Sequence, residues 1–375
     1  MNIPSFHQND LFNELIKNYD EFKVVFAHAK DENRINQGWN SGQTQYYKSQ
    51  TIGTDLKLLQ LISYVFKNRK STHIVNGIWA EKSLFFVIIL LNIFRVDFLI
   101  YSEAPIPTKY RSFTKKILLH FIIKPLSKLL IIRAKGFLAV SIFAAKYFES
   151  LGVKPEKIYR FGYFRNIRKS IQEPVPTDNS RTITSIIFVG QLIERKGIMI
   201  LLEAIKIVNR TNSSFHLTII GTGELESSLK AFINLNQLQN RVILLGVINS
   251  ENITDYIEKA DLLILPSFFD GWGMVINEAL QSQVPVLISE QCGAKELVKV
   301  NQNGLIFQHD NLESLTENLQ KFLNLSPQEK TEMKRYAGEM GEKISISVVC
   351  NYLNLCIEHC TKPLNIKPIA PWLNE

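Results

Sequence analysis

The sequence is poor in the residue types that build disulfide frameworks and metal centres. Its 375 residues include four cysteines and seven histidines. No two cysteines form a CxxC pair, and the histidines form no HxxxH or HExxH group. We therefore expect reduced thiols and predict no metal site and no metal cofactor.

Long hydrophobic runs and complete phosphate-binding fingerprints are also missing. The most apolar run, "LFFVIILLNIF" at 84–94, is far shorter than the ~20 residues of a membrane span, and it predicts a buried helix. The polar start "MNIPSFHQND" has no signal-peptide pattern, so we expect a cytoplasmic protein. In "IIGTGELES", Gly221 and Gly223 lack the third glycine of GxGxxG, which disfavours a dinucleotide-dependent enzyme.

Charge is distributed unevenly along the chain. Residues 1–165 contain 24 Lys and Arg against 12 Asp and Glu, whereas the remainder contains 19 against 23. A basic first half favours a negatively charged partner or surface, the alternative being a solvated basic surface. No nucleic-acid partner is predicted.

Short apolar runs alternate with segments of helical spacing in both halves. Apolar strands without polar alternation, interleaved with amphipathic helices, are typical of a parallel sheet covered on both faces. The pattern predicts an α/β protein of two Rossmann-like, doubly wound domains facing across a cleft. The predicted strands are 22–27, 73–77, 97–102 and 137–141 in the first half, and 183–190, 215–221, 241–246, 261–266, 284–289 and 304–307 in the second.

Linker composition divides the predicted domains. We expect an N-terminal domain over 1–170, a polar, proline-containing linker over 171–182 and a C-terminal domain over 183–350. The tail, 351–375, is expected to pack back towards the N-terminal domain.

Two loops of the second half carry candidate ligand-binding residues. In "FVGQLIERKG", Gly190 and Gln191 end a strand, and Arg195 and Lys196 begin the next helix, where two cations suit a phosphate or diphosphate. The alternative is a pair of loop charges in water.

The second loop is "FFDGWGMVINEAL" at 268–280, which follows a strand ending at Pro266. Glycines allow close backbone approach, and a helix N-terminus favours an anion. Asp270 is suited to a hydroxylated sugar, and Glu278 to ribose hydroxyls. Alternatively, Asp270 caps the helix and Glu278 lies on the surface.

These motifs, with "GTGELESSL", "VILLGVI" and "GAKELV…NGLIF", together resemble family 4 (group 1) retaining glycosyltransferases of the GT-B fold. The resemblance is dense over about 185–310 and loose in the first half. It implies an E-x7-E motif whose first acid is Asp270 and whose second is Glu278. It also implies that Lys196, with Arg195, holds the donor diphosphate, with Gln191 in place of the usual arginine. The remaining implied donor-binding residues are Gly190, Gly221, Gly223, Gly246, Val247, Gly271, Trp272, Gly273, Met274 and Val275.

The acceptor side is less well marked. Where many members carry a histidine, "YSEAP" offers Ser102 and Glu103. The segment 109–135 has eight Lys and Arg among Leu, Ile and Phe, which favours peripheral binding to an anionic membrane, the alternative being an ordinary packed helix pair.

The resemblance implies metal-independent transfer of a sugar, with retention, from a nucleotide-diphosphate donor to a glycan or lipid-linked acceptor in envelope polysaccharide synthesis. A non-catalytic nucleotide-sugar binding protein and a nucleotide-sugar epimerase of the same fold are the alternatives.

Overall fold

The computed structural model divides the chain into two compact units. Unit 1 holds the described residues up to Arg165 and those from Ile346 onward, and unit 2 holds those from Asn166 to Ser345. The structure describes residues 6–28, 46–52, 57–78, 81–105, 123–167, 183–211, 214–362 and 366–374. The predicted linker and residues 109–122 of the basic segment lie outside them.

Unit 1 contains two parallel sheets. One pairs β1 (Lys23–Phe26) with β2 (Lys48–Thr51). The other has four strands in chain order, namely β3 (His73–Asn76), β4 (Phe98–Glu103), β5 (Ala134–Val140) and β6 (Ile158–Phe161). Both faces of β4 and β5 are largely buried, as expected for apolar strands covered by helices.

Helices cover the unit 1 sheets, and the C-terminal helix belongs to this unit. Tyr352 donates a hydrogen bond to the Arg160 carbonyl (3.0 Å), and Tyr159 bonds the His359 ring (2.7 Å). Trp372 is fully buried against Phe164. The helices are α1 (Phe6–Leu15), α2 (Leu58–Lys67), α3 (Lys82–Ile93), α4 (Lys124–Leu130), α5 (Ser141–Ser150) and, at the C-terminus, α12 (Ile346–Thr361).

Unit 2 is a six-stranded parallel sheet of order β12-β11-β10-β7-β8-β9. The strands are β7 (Thr184–Val189), β8 (Phe215–Ile220), β9 (Val242–Gly246), β10 (Leu262–Leu265), β11 (Val286–Ser289) and β12 (Gly304–Phe307). Every residue of β10 and β11 is buried, which explains their continuous apolar sequence.

The last two helices of unit 2 have side-chain N-caps. The last helix begins at Pro327 with a capping box. The Ser326 side chain accepts a hydrogen bond from the Glu329 N–H, and the Glu329 side chain accepts one from the Ser326 N–H. The helices are α6 (Ile198–Val208), α7 (Glu226–Leu235), α8 (Ile253–Ile257), α9 (Met274–Gln281), α10 (Leu312–Leu323) and α11 (Pro327–Lys343).

Most predicted elements are confirmed, with two strands missed. β2 reads "KSQT", which is too polar for a buried strand, and β6 (Ile158–Phe161) is a four-residue strand that no predicted run covers. The run at 84–94 is a helix, as predicted. Among the described residues, no helix combines the length and apolarity needed to cross a membrane.

Candidate functional site

The strand order of unit 2 reverses between β7 and β10. From β7 the chain goes on to β8 and β9 at one side, then returns to β10 on the other side of β7. In open α/β sheets, ligands bind outside the carboxyl ends of the strands at such a reversal. Both loops predicted to bind a ligand leave the sheet at this point, one after β7 and one after β10.

Two glycines hold these loops against their neighbours. Gly197 has φ +67°, and a Cβ there would lie 2.1 Å from the carbonyl oxygen of Pro266, at the end of β10. Gly221 has φ +139°, and its Cβ would lie 1.9 Å from the Gly190 oxygen. Side chains would separate the loops at both positions, so glycine is needed at each for close backbone approach.

An ion pair joins the loops that follow β7 and β10. The Lys196 ammonium lies 2.5 Å from Oδ2 of Asp270, and their side chains are only 16% and 12% exposed. The backbone of Asp270 is fixed in turn, because its N–H donates to the Gln291 carbonyl and its carbonyl accepts from the Gly293 N–H. A half-buried, positioned cation therefore lies where the strand order reverses.

Arg195, the second predicted cation, binds protein backbone. Its guanidinium donates to the Phe269 carbonyl (2.9 Å), and its own carbonyl accepts from the Phe268 N–H (2.9 Å). The side chain expected to hold a diphosphate is thus engaged in fixing the loop that carries Asp270.

Helix α9 carries the second predicted carboxylate. Gly273 is its N-cap, so the alternative of Asp270 as the helix cap is wrong. Glu278 is 7% exposed, so the alternative of a surface residue is also wrong. Burying a carboxylate costs free energy unless neighbouring groups hydrogen-bond to it. A buried glutamate is therefore unusual in a helix that has only a structural role.

Trp272 was predicted among the donor-binding residues, but its side chain lies in the core. It is 2% exposed, and its indole N–H donates to Oδ1 of the fully buried Asn277 (2.9 Å). Its side chain therefore braces the start of α9, and only its backbone belongs to the rim of the site. The neighbouring Gly271 and Met274 are partly exposed, whereas Val275 is largely buried.

The end of β9 presents an apolar surface. Gly246 adopts φ +70°, and its carbonyl accepts from the Gly221 N–H (2.8 Å), which joins the ends of β8 and β9. Leu245 and Val247 are 38% and 50% exposed. Exposed apolar side chains at a carboxyl edge suit an aromatic ring, such as a nucleotide base.

A polar pair that the motif analysis missed follows β11 and β12. His309 Nδ1 lies 2.9 Å from Oε1 of Glu290, and Lys295 donates to the Glu290 carbonyl (2.7 Å). The hydrogen bond with His309 lowers the pKa of Glu290. No motif signals this pair, because the two residues are distant in sequence and meet only through the pairing of neighbouring strands.

Cys292 is buried beside the Asp270 loop. Burial, reinforced by the negative charge of Asp270, raises the pKa of its thiol far above the usual range. In unit 1, Ser102 and Glu103 lie at the carboxyl end of β4, and Ser102 Oγ donates to the Glu103 carbonyl (2.9 Å).

Most of unit 2 is similar to a known protein family. Residues 173–340 match the model of the group 1 glycosyl transferases. The matched region contains every predicted donor-site residue, from Gly190 to Glu278.

Curated relatives match over the same half of the chain. The amylovoran biosynthesis glycosyltransferase AmsK of Erwinia amylovora is 31% identical over 160 residues, 41% of this chain and 36% of its own length. The putative colanic acid biosynthesis glycosyltransferase WcaL of Escherichia coli strain K12 is 27% identical over 175 residues, 45% of this chain and 43% of its own length. The chain thus spans less than half the length of these curated relatives.

Similarity of fold extends over both units. The crystal structure of Anabaena HepE in complex with UDP has a TM-score of 0.72 with 16% identity, covering 96% of this chain and all of that one. The fold is GT-B, with two Rossmann-like domains, as predicted.

Proposed function

We propose that this protein is a family 4 retaining glycosyltransferase that moves a sugar from a nucleotide-diphosphate donor to a glycan or lipid-linked acceptor. The observation that carries the proposal is the Lys196–Asp270 pair at the reversal of strand order in unit 2. Relatives named for amylovoran and colanic acid biosynthesis support envelope polysaccharide synthesis as its setting.

Lys196 is suited to stabilising the leaving group. An ammonium ion has three N–H donors, and its bond to Asp270 uses one. The others are available for the β-phosphate of the donor, on which negative charge grows as the glycosidic bond breaks. A positioned cation in a half-buried site stabilises that charge without reorganisation, an effect of several kcal/mol in such sites.

The two carboxylates have different tasks in this proposal. Glu278, buried on α9, accepts hydrogen bonds from the ribose hydroxyls. Asp270 orients the Lys196 ammonium and contacts the sugar, which develops positive charge in the transition state. In a same-face mechanism, the leaving phosphate accepts the acceptor's proton, so no further protein base is required.

Peripheral association with an anionic membrane is part of the proposal. The basic segment 109–135 supports it by composition. A lipid-linked acceptor would then be presented at the surface where the enzyme binds.

A donor screen tests the proposal. The protein is incubated with UDP-, GDP- and other nucleotide sugars and a lipid extract as acceptor, and release of the nucleoside diphosphate is measured. HepE was solved with UDP, so UDP-sugars come first. We expect acceptor-dependent release, unaffected by EDTA, with the anomeric configuration of the product matching that of the donor.

Other outcomes of the screen separate the alternatives. Thermal stabilisation by a donor without release on any acceptor would indicate a non-catalytic binding protein. Interconversion of free nucleotide sugars without acceptor would indicate an epimerase. Inversion of configuration would contradict the family 4 mechanism.

A further inference from the structure

A second charged region of the chain lies in unit 1, at the amino-terminal ends of β3, β4 and β5. Three segments lie at the starts of these adjacent parallel strands, and we call them together the amino-edge face. They are 66–70 before β3, 93–97 before β4, and 128–135, which runs into the first two residues of β5. The donor-site residues all lie in unit 2, so this face is separate from the site described above.

Side-chain contacts make the three segments one continuous surface. The rings of Phe66 and Phe94 meet edge to face with centroids 5.4 Å apart. Asn92 donates to the Leu130 carbonyl (2.9 Å), and Arg133 donates to the Arg95 carbonyl (3.3 Å). The ends of α2, α3 and α4 are thereby joined.

The amino-edge face is strongly basic. It has one acidic residue, Asp97, which lies within 4 Å of both Arg133 and Lys135. Three helix C-termini end here, and together they contribute roughly −1.5 charges. Even with that contribution, the face keeps a clear positive excess from its basic residues, Lys67, Arg69, Lys70, Arg95, Lys128, Arg133 and Lys135.

The same face exposes large apolar side chains. Ile93 and Leu129 are each 64% exposed, Ile132 is 72% exposed and Phe66 is 48% exposed. Single exposed apolar residues are ordinary, but four of them on one connected surface need an explanation. Basic residues at helix C-termini are explained by the helix dipole, but that explanation does not account for the apolar residues among them.

We propose that the amino-edge face docks on an anionic phospholipid bilayer. The exposed apolar side chains would enter the boundary between headgroups and acyl chains, and the surrounding cations would face the lipid phosphates. This arrangement explains both the apolar residues and the positive charge of the face. Dimerisation through this face would bring two basic surfaces into contact. Binding of a soluble polyanion would leave the apolar side chains exposed to water. The proposal rests on the peripheral membrane association proposed above and assigns it to this face. Its test needs no donor or acceptor, so its failure would leave the proposed glycosyl transfer unaffected.

The test is co-sedimentation of the full chain with vesicles of phosphatidylcholine alone or with 30% phosphatidylglycerol. We expect binding to the anionic vesicles at least about tenfold stronger than to neutral ones, and weakened by 0.5 M salt. Two variants of the face are compared, the charge variant Lys70→Glu/Arg95→Glu/Lys128→Glu and the apolar variant Ile93→Ser/Leu129→Ser/Ile132→Ser. Each is expected to lose at least about tenfold in vesicle affinity.

Matched controls carry the same changes elsewhere on the surface. Lys146→Glu/Lys154→Glu/Lys259→Glu alters the charge equally, and Leu235→Ser/Val300→Ser/Ile366→Ser removes equally exposed apolar groups. Thermal unfolding establishes that each protein is folded. No preference of the wild type for anionic vesicles, or equal losses in variant and control, would overturn the proposal. Salt-sensitive dimerisation of the wild type without vesicle binding would overturn it in favour of self-association.

Discussion

The two units of this protein use positive charge in opposite ways. In unit 2, Lys196 and Arg195 are turned inward and fixed by Asp270 and the Phe269 carbonyl. On the amino-edge face of unit 1, by contrast, most cations are exposed to solvent among apolar side chains. Fixed, half-buried charge suits one small ligand in one geometry, whereas exposed charge suits an extended and fluid surface. We therefore expect substitutions in the unit 2 site to change ligand binding and catalysis, and substitutions on the amino-edge face to change membrane binding.

The largest effect is expected at the buried carboxylate of unit 2. Glu278→Gln should lower kcat/KM for transfer about a hundredfold or more, because a neutral amide accepts hydrogen bonds from the donor less strongly than a carboxylate. Glu313→Gln, at an exposed position, is the control. Steady-state kinetics with the donor identified in the screen measures the effect. Full activity of the Glu278 variant would remove this residue from the site.

The Lys196–Asp270 pair should also contribute to stability. Lys196→Met and Asp270→Asn are each expected to cost about 1.5–3 kcal/mol of unfolding free energy, because each leaves one partner of a charge-assisted bond in a half-buried position. The double variant should lose clearly less than the sum.

Chemical denaturation of the four proteins in this cycle measures the coupling. The more exposed Lys206–Glu203 pair, with side chains 33% and 42% exposed and 3.6 Å apart on α6, is the control, with an expected coupling below about 0.5 kcal/mol. Equal coupling in the two pairs would show that the unit 2 charges are no more fixed than surface charges.

Arg195 should act through the loop and not through the phosphate. Arg195→Ala is expected to lower kcat/KM about tenfold, since the Phe269 carbonyl loses its guanidinium donor and Asp270 is held less firmly. Affinity for a nucleoside diphosphate should change less than threefold, which calorimetry can measure. If affinity falls as far as in Lys196→Met, then Arg195 binds the diphosphate, as the resemblance originally implied. Glu194→Ala, next to it in sequence and exposed, is the control.

The smallest effect is expected when the amino-edge face is changed and ligand binding to unit 2 is measured. The charge variant of the amino-edge face should bind a nucleoside diphosphate with wild-type affinity, within about twofold, because salt at about 0.1 M screens exposed charges. A loss of tenfold or more at that ionic strength would show that the two regions are not independent.

The sequence predicts unit 2 better than unit 1, for a physical reason. Strands such as β10 and β11 are buried on both faces, so their apolar residues are continuous and visible in the sequence. β2 in unit 1 has the polar sequence "KSQT", and only its pairing with β1 defines it as a strand. Local patterns cannot reveal an element that depends on a partner distant in sequence.

The same distinction holds for side chains of the site. Motif spacing was enough to select Lys196, Asp270 and Glu278 as candidates, because it encodes which loop and helix they occupy. Spacing does not encode the partner of a side chain. The bond of Arg195 to the Phe269 carbonyl, the core position of Trp272 and the Glu290–His309 pair all required the folded chain.

The central claim is that the carboxyl edge of unit 2 binds a nucleoside diphosphate through Lys196. Isothermal titration calorimetry of UDP and GDP with wild type, Lys196→Met and the control Lys206→Met tests it most directly. We predict one site in the wild type and in the control, and an affinity at least about thirtyfold lower in Lys196→Met, since an unscreened charge-assisted contact to phosphate is lost. Binding of equal strength in all three proteins would contradict the claim.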